Sequence, residues 1–224
     1  MPSSDGKKYL TDTLDSENVI ALAKVIPNQK ATLFLDWFTY SENSLDGQSK
    51  KKAYTLFESG LISDLEVGTT KGLLQIHAYI FGGLYSFAGQ IRNKDISKGG
   101  FKFALAKFLK DTLNHIEKLP ESTFDEIVNK YVEMNIAHPF MEGNGRTTRI
   151  WLDLMLKKNI KQCIDWSLIT KKDYFEGMIA SPTDDTLIKT LLKSALTNKI
   201  NDREMFMKGI DYSYYYEEEE IDIT

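Results

Sequence analysis

Apolar residues recur at helical spacing over most of the chain, and strand-like alternation is confined to one stretch. The segment "SENVIALAKVI" (16–26) carries an apolar stripe behind a possible Ser16 cap. A short helix ending near Tyr40 and a polar turn at 41–47 follow. "SKKKAYTLFESG" (49–60) predicts a helix stopped by Gly60. The segment 69–89 starts at a Thr cap and is apolar nearly all round, which predicts a buried helix. Further helices are expected at about 103–118, 122–136, 145–158, 171–180, 184–198 and 202–216. The one at 122–136 opens with a capping box, Thr123 and Glu126. Between these helices, 90–104 alternates around a polar turn and predicts an extended loop or β-hairpin. The expected fold class is all-α, a helical bundle with one small β-hairpin.

Length and composition narrow the setting. At 224 residues the chain can bury a sizeable core. A net charge of −4 gives no overall basic field, so direct nucleic-acid binding is not expected. No apolar run approaches the roughly 20 residues of a spanning helix, and the N-terminus has no apolar signal region. The single Cys163 excludes an internal disulfide and reads as a structural thiol, which fits a cytoplasmic setting.

Candidate chemistry concentrates in "AHPFMEGNGRTTR" (137–149). Pro139 disfavours helix at the residue before it, so His138 falls at a helix-to-loop junction. A new helix begins near Asn144 or Gly145. Its N-terminus offers unpaired N–H groups and partial positive charge, which suit phosphate. Gly143 and Gly145 let an anion approach the backbone. Arg146 and Arg149 lie three apart and can project from one helix face as a polyphosphate clamp. Glu142 could hold Mg²⁺ against phosphate oxygens. His138 could deprotonate an incoming hydroxyl. A base, a metal acid, an anion nest and two cationic forks within twelve residues are the parts of phosphoryl or nucleotidyl transfer. By contrast, His77 and His115 stand alone and read as structural histidines.

The segment His138-Pro139-Phe140-Met141-Glu142-Gly143-Asn144-Gly145-Arg146-Thr147-Thr148-Arg149 resembles the signature of the Fic family, HPFx[DE]GNGRxxR, at every specified position. From about residue 56 to 217 the chain is similar to short bacterial members with a C-terminal inhibitory helix. The resemblance implies a Fic fold with an N-terminal extension (1–50), a catalytic core (51–200) and an inhibitory helix with an acidic tail (201–224). It implies a Mg²⁺-dependent protein adenylyltransferase that moves AMP from ATP to a target hydroxyl. His138 would be the base, and Phe140 the anchor of the loop. Glu142 would hold the metal. Gly143, Asn144 and Gly145 would hold the α-phosphate, with Arg146 on the β- and Arg149 on the γ-phosphate. Kinase-type members carry Lys where this chain has Gly145, which favours AMP transfer. UMP transfer or AMP removal by the same site, and a nucleotide-responsive binding module, are the alternatives.

Two further segments take roles from the resemblance. The turn Ile96-Ser97-Lys98-Gly99-Gly100-Phe101 corresponds to the flap that docks the target. Ser213-Tyr214-Tyr215-Tyr216-Glu217 matches the first five positions of the inhibitory pattern [S/T]xxxE[G/N], with Glu218 where Gly or Asn is expected. Ser213 and Glu217 share a helix face, so Glu217 could pair with Arg149 and exclude the γ-phosphate. Tyr214 is a candidate for self-modification. "YSENSLDG" (40–47) resembles the inhibitory motif that other members carry before the core, but its spacing is off by one and Asp46 replaces Glu. The resemblance also suggests topoisomerase subunits such as gyrase B as targets, and a homo-oligomer.

Overall fold

A computed structural model describes residues 44–217. The helices expected at 16–26 and up to Tyr40, residues 40–43 and everything from Glu218 onward lie outside the described residues, and the polar turn expected at 41–47 gives way to helix from Leu45. Eight helices are described: α1 (Leu45–Glu58), α2 (Thr70–Phe81), α3 (Leu109–Glu117), α4 (Phe124–Ala137), α5 (Asn144–Ile160), α6 (Lys171–Ala180), α7 (Thr186–Ser194) and α8 (Arg203–Tyr215). Two antiparallel strand pairs accompany them, β1 (Ser97–Lys98) with β2 (Phe101–Lys102) and β3 (Cys163–Ile164) with β4 (Leu196–Thr197).

Helix α5 is the hub, packing on α2, α4, α8 and β3. It is buried almost all round, including the polar residues Asn144, Arg146, Thr147, Thr148 and Arg149. Its threonines do not leave orphaned hydroxyls. Thr147 donates to the Gly143 carbonyl at 2.8 Å and Thr148 to that of Asn144 at 2.9 Å. Helix α4 starts at the expected capping box: Thr123 accepts from the Glu126 amide while Glu126 accepts from that of Thr123.

Three helices are shorter than the pattern predicts. α2 stops at Phe81 rather than near Gly89, because Gly82 and Gly83 break it and the chain turns through 82–89. A 3-10 turn over Ala106–Phe108 delays α3 until Leu109. The apolar run 184–198 divides after Ser194, and Leu196–Thr197 becomes β4. Two-residue strands carry too little alternation to be legible. The hairpin expected within 90–104 is present. Gly99 (φ 56°) and Gly100 (φ 82°) form its two-residue turn, and positive φ at both central positions is what a type I′ turn requires.

The β3–β4 pair is fastened to α5 through Asp153, which accepts from the Ile164 amide at 2.9 Å and from the Trp166 indole at 2.8 Å. Burial pushes this carboxyl up to about 7, against the downward pull of those two hydrogen bonds. Asp153→Ala strands two buried donors. It is expected to lower unfolding stability by about 2–4 kcal/mol, read from urea denaturation midpoints at constant m-value.

Candidate active site

The site is built where α4 ends and α5 begins. His138 caps α4 in the left-handed conformation (φ 49°), an uncommon backbone for a non-glycine residue. Arg92, only 4% exposed, holds the chain in that turn. Its side chain donates to the carbonyls of His138 (2.7 Å) and Ala137 (3.1 Å), and its own amide donates to that of Pro139 (2.9 Å). The same guanidinium donates to Lys94 and Ala104 at the two feet of the hairpin. One buried cation thus ties the hairpin to the His138 turn. The sequence reading missed Arg92, because a lone arginine in a loop carries no pattern.

The His138 ring lies face to face with Phe103, with centroids 3.8 Å apart and planes 16° apart. Its Nδ1 is 3.3 Å from the Asn135 carbonyl. Burial lowers its pKa to about 4. The Asn135 contact and Glu217 oppose that shift, while Arg92 and Lys98 add to it. The ring is therefore neutral at pH 7 and able to accept a proton.

Past Pro139, Phe140 is fully buried and stacks on His77 at 3.8 Å. His77 is structural, as expected from its isolation, and it also braces the loop. The Gly89 amide donates to its Nδ1 (2.8 Å), so the proton sits on Nε2, which donates to the Glu142 carbonyl at 3.0 Å. Burial drives its pKa down to about 4. Asn144 closes the loop as well, its side chain accepting from the Phe140 amide and donating to the Phe140 carbonyl, both at 2.8 Å. That amide faces the loop, so anion-binding capacity falls to the backbone at the start of α5. Gly143 (φ 78°) caps that helix, and a Cβ there would lie 2.3 Å from Phe81.

Glu142 is half exposed and pairs with Arg146 at 2.9 Å. Arg146 packs over the rings of Phe81 and Tyr214. Arg149 is 2% exposed. It donates to the Ser213 hydroxyl (2.8 Å), the Ser213 carbonyl (2.7 Å), the Tyr174 hydroxyl (3.2 Å) and the Glu217 carboxylate (2.5 Å). The rings of Tyr174 and Tyr216 also lie 5.4 and 5.5 Å from its guanidinium carbon. Burial would lower its pKa, but Tyr174 and Glu217 raise it further. Burial likewise pushes the Glu217 carboxyl up, and Arg149, Arg146 and Lys98 outweigh that, leaving it below the usual glutamate range. One Glu217 oxygen lies where a Cβ on Gly145 would be, 2.1 Å from that position, against the first turn of α5.

The structure thus brings together His138, the Glu142–Gly145 loop, Arg146, Arg149, Ser213 and Glu217. Tyr214 lies beside them but is 1% exposed, its hydroxyl donating to Ser49 at 2.9 Å. The hairpin turn 96–101 flanks His138 through Phe103, which stacks edge-on against Phe101 at 5.3 Å. Tyr174 and Phe103 were not singled out from sequence. Aromatic residues at helical or alternating spacing read as core, and nothing local marks the charged side chains they cover.

A buried neutral imidazole thus stands near a helix N-terminus flanked by two arginines, one of which holds the Glu217 carboxylate. Residues 68–156 match the Fic/DOC family. It is 32% identical over 152 residues to protein adenylyltransferase VbhT of Bartonella schoenbuchensis, covering 61% of this chain and 31% of VbhT. It is 22% identical over 143 residues to the probable protein adenylyltransferase Fic of Escherichia coli, covering 59% of this chain and 71% of that protein. The chain thus spans about a third of the length of VbhT. The fold resembles that of BepC from Bartonella tribocorum with bound AMPPNP (TM-score 0.58, 18% identity, 68% of this chain and 84% of that one). It also resembles a Bartonella quintana Fic domain with bound ADP (TM-score 0.57, 19% identity, 77% and 87%).

The two buried imidazoles give a direct test. In ¹³C-labelled protein, the ring resonances of His77 and His138 are expected to hold their neutral positions from pH 8 to about 5 and to titrate near 4. A midpoint near the ordinary ~6.5 for His138 would contradict the burial described.

Proposed function

We propose that this protein transfers AMP from ATP to a hydroxyl of a target protein, and that Glu217 holds it inactive at rest. One observation carries the reading: the Glu217 carboxylate lies on Arg149 and against the first turn of α5, where an anion is bound within the cradle. The adenylyltransferase names of VbhT and of the Escherichia coli relative support the reaction class. Nucleotides bound to the two Bartonella Fic domains support a nucleotide as the anion.

In this mechanism the α5 N-terminus and the Gly143 and Gly145 amides bear on the α-phosphate, where charge develops. Arg146 takes the β-phosphate and Arg149 the γ-phosphate. His138 Nε2 accepts the proton of the target hydroxyl as its oxygen bonds to the α-phosphorus and pyrophosphate leaves. Among the described residues, no group of three or more metal-binding side chains stands together. A single half-exposed Glu142 still fits Mg²⁺, which is commonly held by one or two carboxylates plus substrate phosphates and water. Such an ion would neutralise phosphate charge.

The brake follows from the same contacts. While Glu217 holds Arg149, the γ-phosphate meets a carboxylate instead of a guanidinium fork. Ser213 and the flanking tyrosines keep α8 seated, and Tyr214 becomes available for self-modification only when α8 leaves. We assign the core to 51–200 and the brake to 201–224. The half-exposed Glu142 carboxylate and the neutral His138 favour transfer over simple nucleotide sensing, since binding alone uses neither. UMP transfer and AMP removal are the competing reactions. A cytoplasmic topoisomerase subunit such as gyrase B is the target we would try first, and a homo-oligomer the assembly.

With α-³²P-ATP, Mg²⁺ and a bacterial lysate, Glu217→Gly is expected to label protein at least about tenfold faster than the parent chain, a difference of 1.4 kcal/mol. Adding His138→Ala should abolish the label. If Glu217→Gly labels no faster, the brake is misassigned. If no nucleotide labels anything while the folded protein binds it, the transfer reading fails.

A further inference from the structure

The hairpin and its flanks concentrate a charge opposite to that of the chain. Residues 91–110 hold Lys94, Lys98, Lys102, Lys107 and Lys110, the buried Arg92 and a single Asp95, a net +5 within a chain of net −4. All five lysines are exposed, and among the described residues none of them forms an ion pair. The one acid, Asp95, caps the Ala106 amide at 2.7 Å and bears on the buried Arg92. Apolar side chains are interleaved with them. Ile91, Phe101, Leu105 and Phe108 are 38–52% exposed.

Register gives this surface a direction. Lys98 and Phe101 are cross-strand partners and so share one face of the hairpin. Phe103, two residues on, shares that face with Phe101, touches it, and stacks on His138. Lys98 is therefore on the side of the hairpin that faces the base.

We propose that the target segment laid along this hairpin is acidic, with Asp or Glu two residues from the modified hydroxyl to meet Lys98, and an apolar residue to meet Phe101. This rests on the transfer reading above and adds the class of substrate. Side chains two apart on an extended segment point the same way, so a hydroxyl aimed at His138 puts its second neighbours on the Lys98 face. Outlying Lys94, Lys102 and Lys107 would steer the same segment at longer range. The competing account is that exposed lysines merely keep a strand edge from pairing with other chains.

The test uses the full chain carrying Glu217→Gly, α-labelled ATP, and synthetic hydroxyl-bearing peptides with Glu, Gln or Lys two residues to either side. Glu peptides are expected to exceed their Gln counterparts in kcat/KM about fivefold per acid, equal to roughly 1 kcal/mol. Lys peptides should fall below both, and the spread should shrink as NaCl rises to about 0.5 M. Lys98→Glu, checked for an unchanged melting temperature, should lose or invert the preference, and a Lys94→Glu, Lys102→Glu, Lys107→Glu triple variant should weaken it. Self-labelling with equal rates on Glu, Gln and Lys peptides would overturn the inference and leave the transfer reading standing. No transfer to any acceptor, self included, would overturn both. Flat peptide rates with duplex DNA binding that the triple variant loses would assign the lysines to nucleic acid and also overturn it.

Discussion

A guanidinium removed from water organises this molecule. Arg149 sits at 2% exposure on the most buried helix of the bundle, a position that few charged groups occupy without partners. Its environment is made of neutral acceptors and ring faces, Ser213, Tyr174 and Tyr216, and one full negative charge, Glu217. The neutral groups hold it in place, and the carboxylate neutralises it. A site with this balance cannot stand empty cheaply, because losing the carboxylate leaves a buried charge to be met by another anion. The Glu217 contact and the proposed nucleotide contact are two answers to the same electrostatic demand.

Arg92 meets a different demand with the same chemistry. It has carbonyls for hydrogen-bond partners, and their positions matter more than their charge. Three of the carbonyls it meets, through its side chain and its own amide, belong to consecutive residues of the turn that carries His138. That turn is left-handed at a residue followed by proline, a conformation the local chain disfavours. A buried five-donor fork that reaches both the turn and the hairpin feet makes the positions of His138 and the hairpin depend on one another.

The motif was legible because its residues are adjacent in sequence and each has one physical use. Pro139 announced the end of α4, and the glycines announced the loop and the start of α5. The capping box of α4 and the hairpin turn were equally local. What escaped the sequence was the supporting shell. Arg92 acts on a turn 46 residues away, Tyr174 reaches Arg149 from α6, and Phe103 covers His138 from the hairpin. Such contacts depend on tertiary placement and leave no periodicity. The ends of α2 and α7 were misjudged for a related reason: an apolar run continues through a turn or short strand that packs against the same core.

The position of Glu217 on the same chain as Arg149 has a consequence in mass action. A tethered carboxylate meets its partner at an effective concentration set by chain geometry, of millimolar order for short flexible connections and higher for a seated helix. The Glu217–Arg149 contact within one chain is therefore indifferent to how much protein is present, so dilution does not unseat it. Only a competing anion at comparable activity, or a partner that binds α8 elsewhere, shifts the balance. The contact is thereby a property of each molecule rather than of the population.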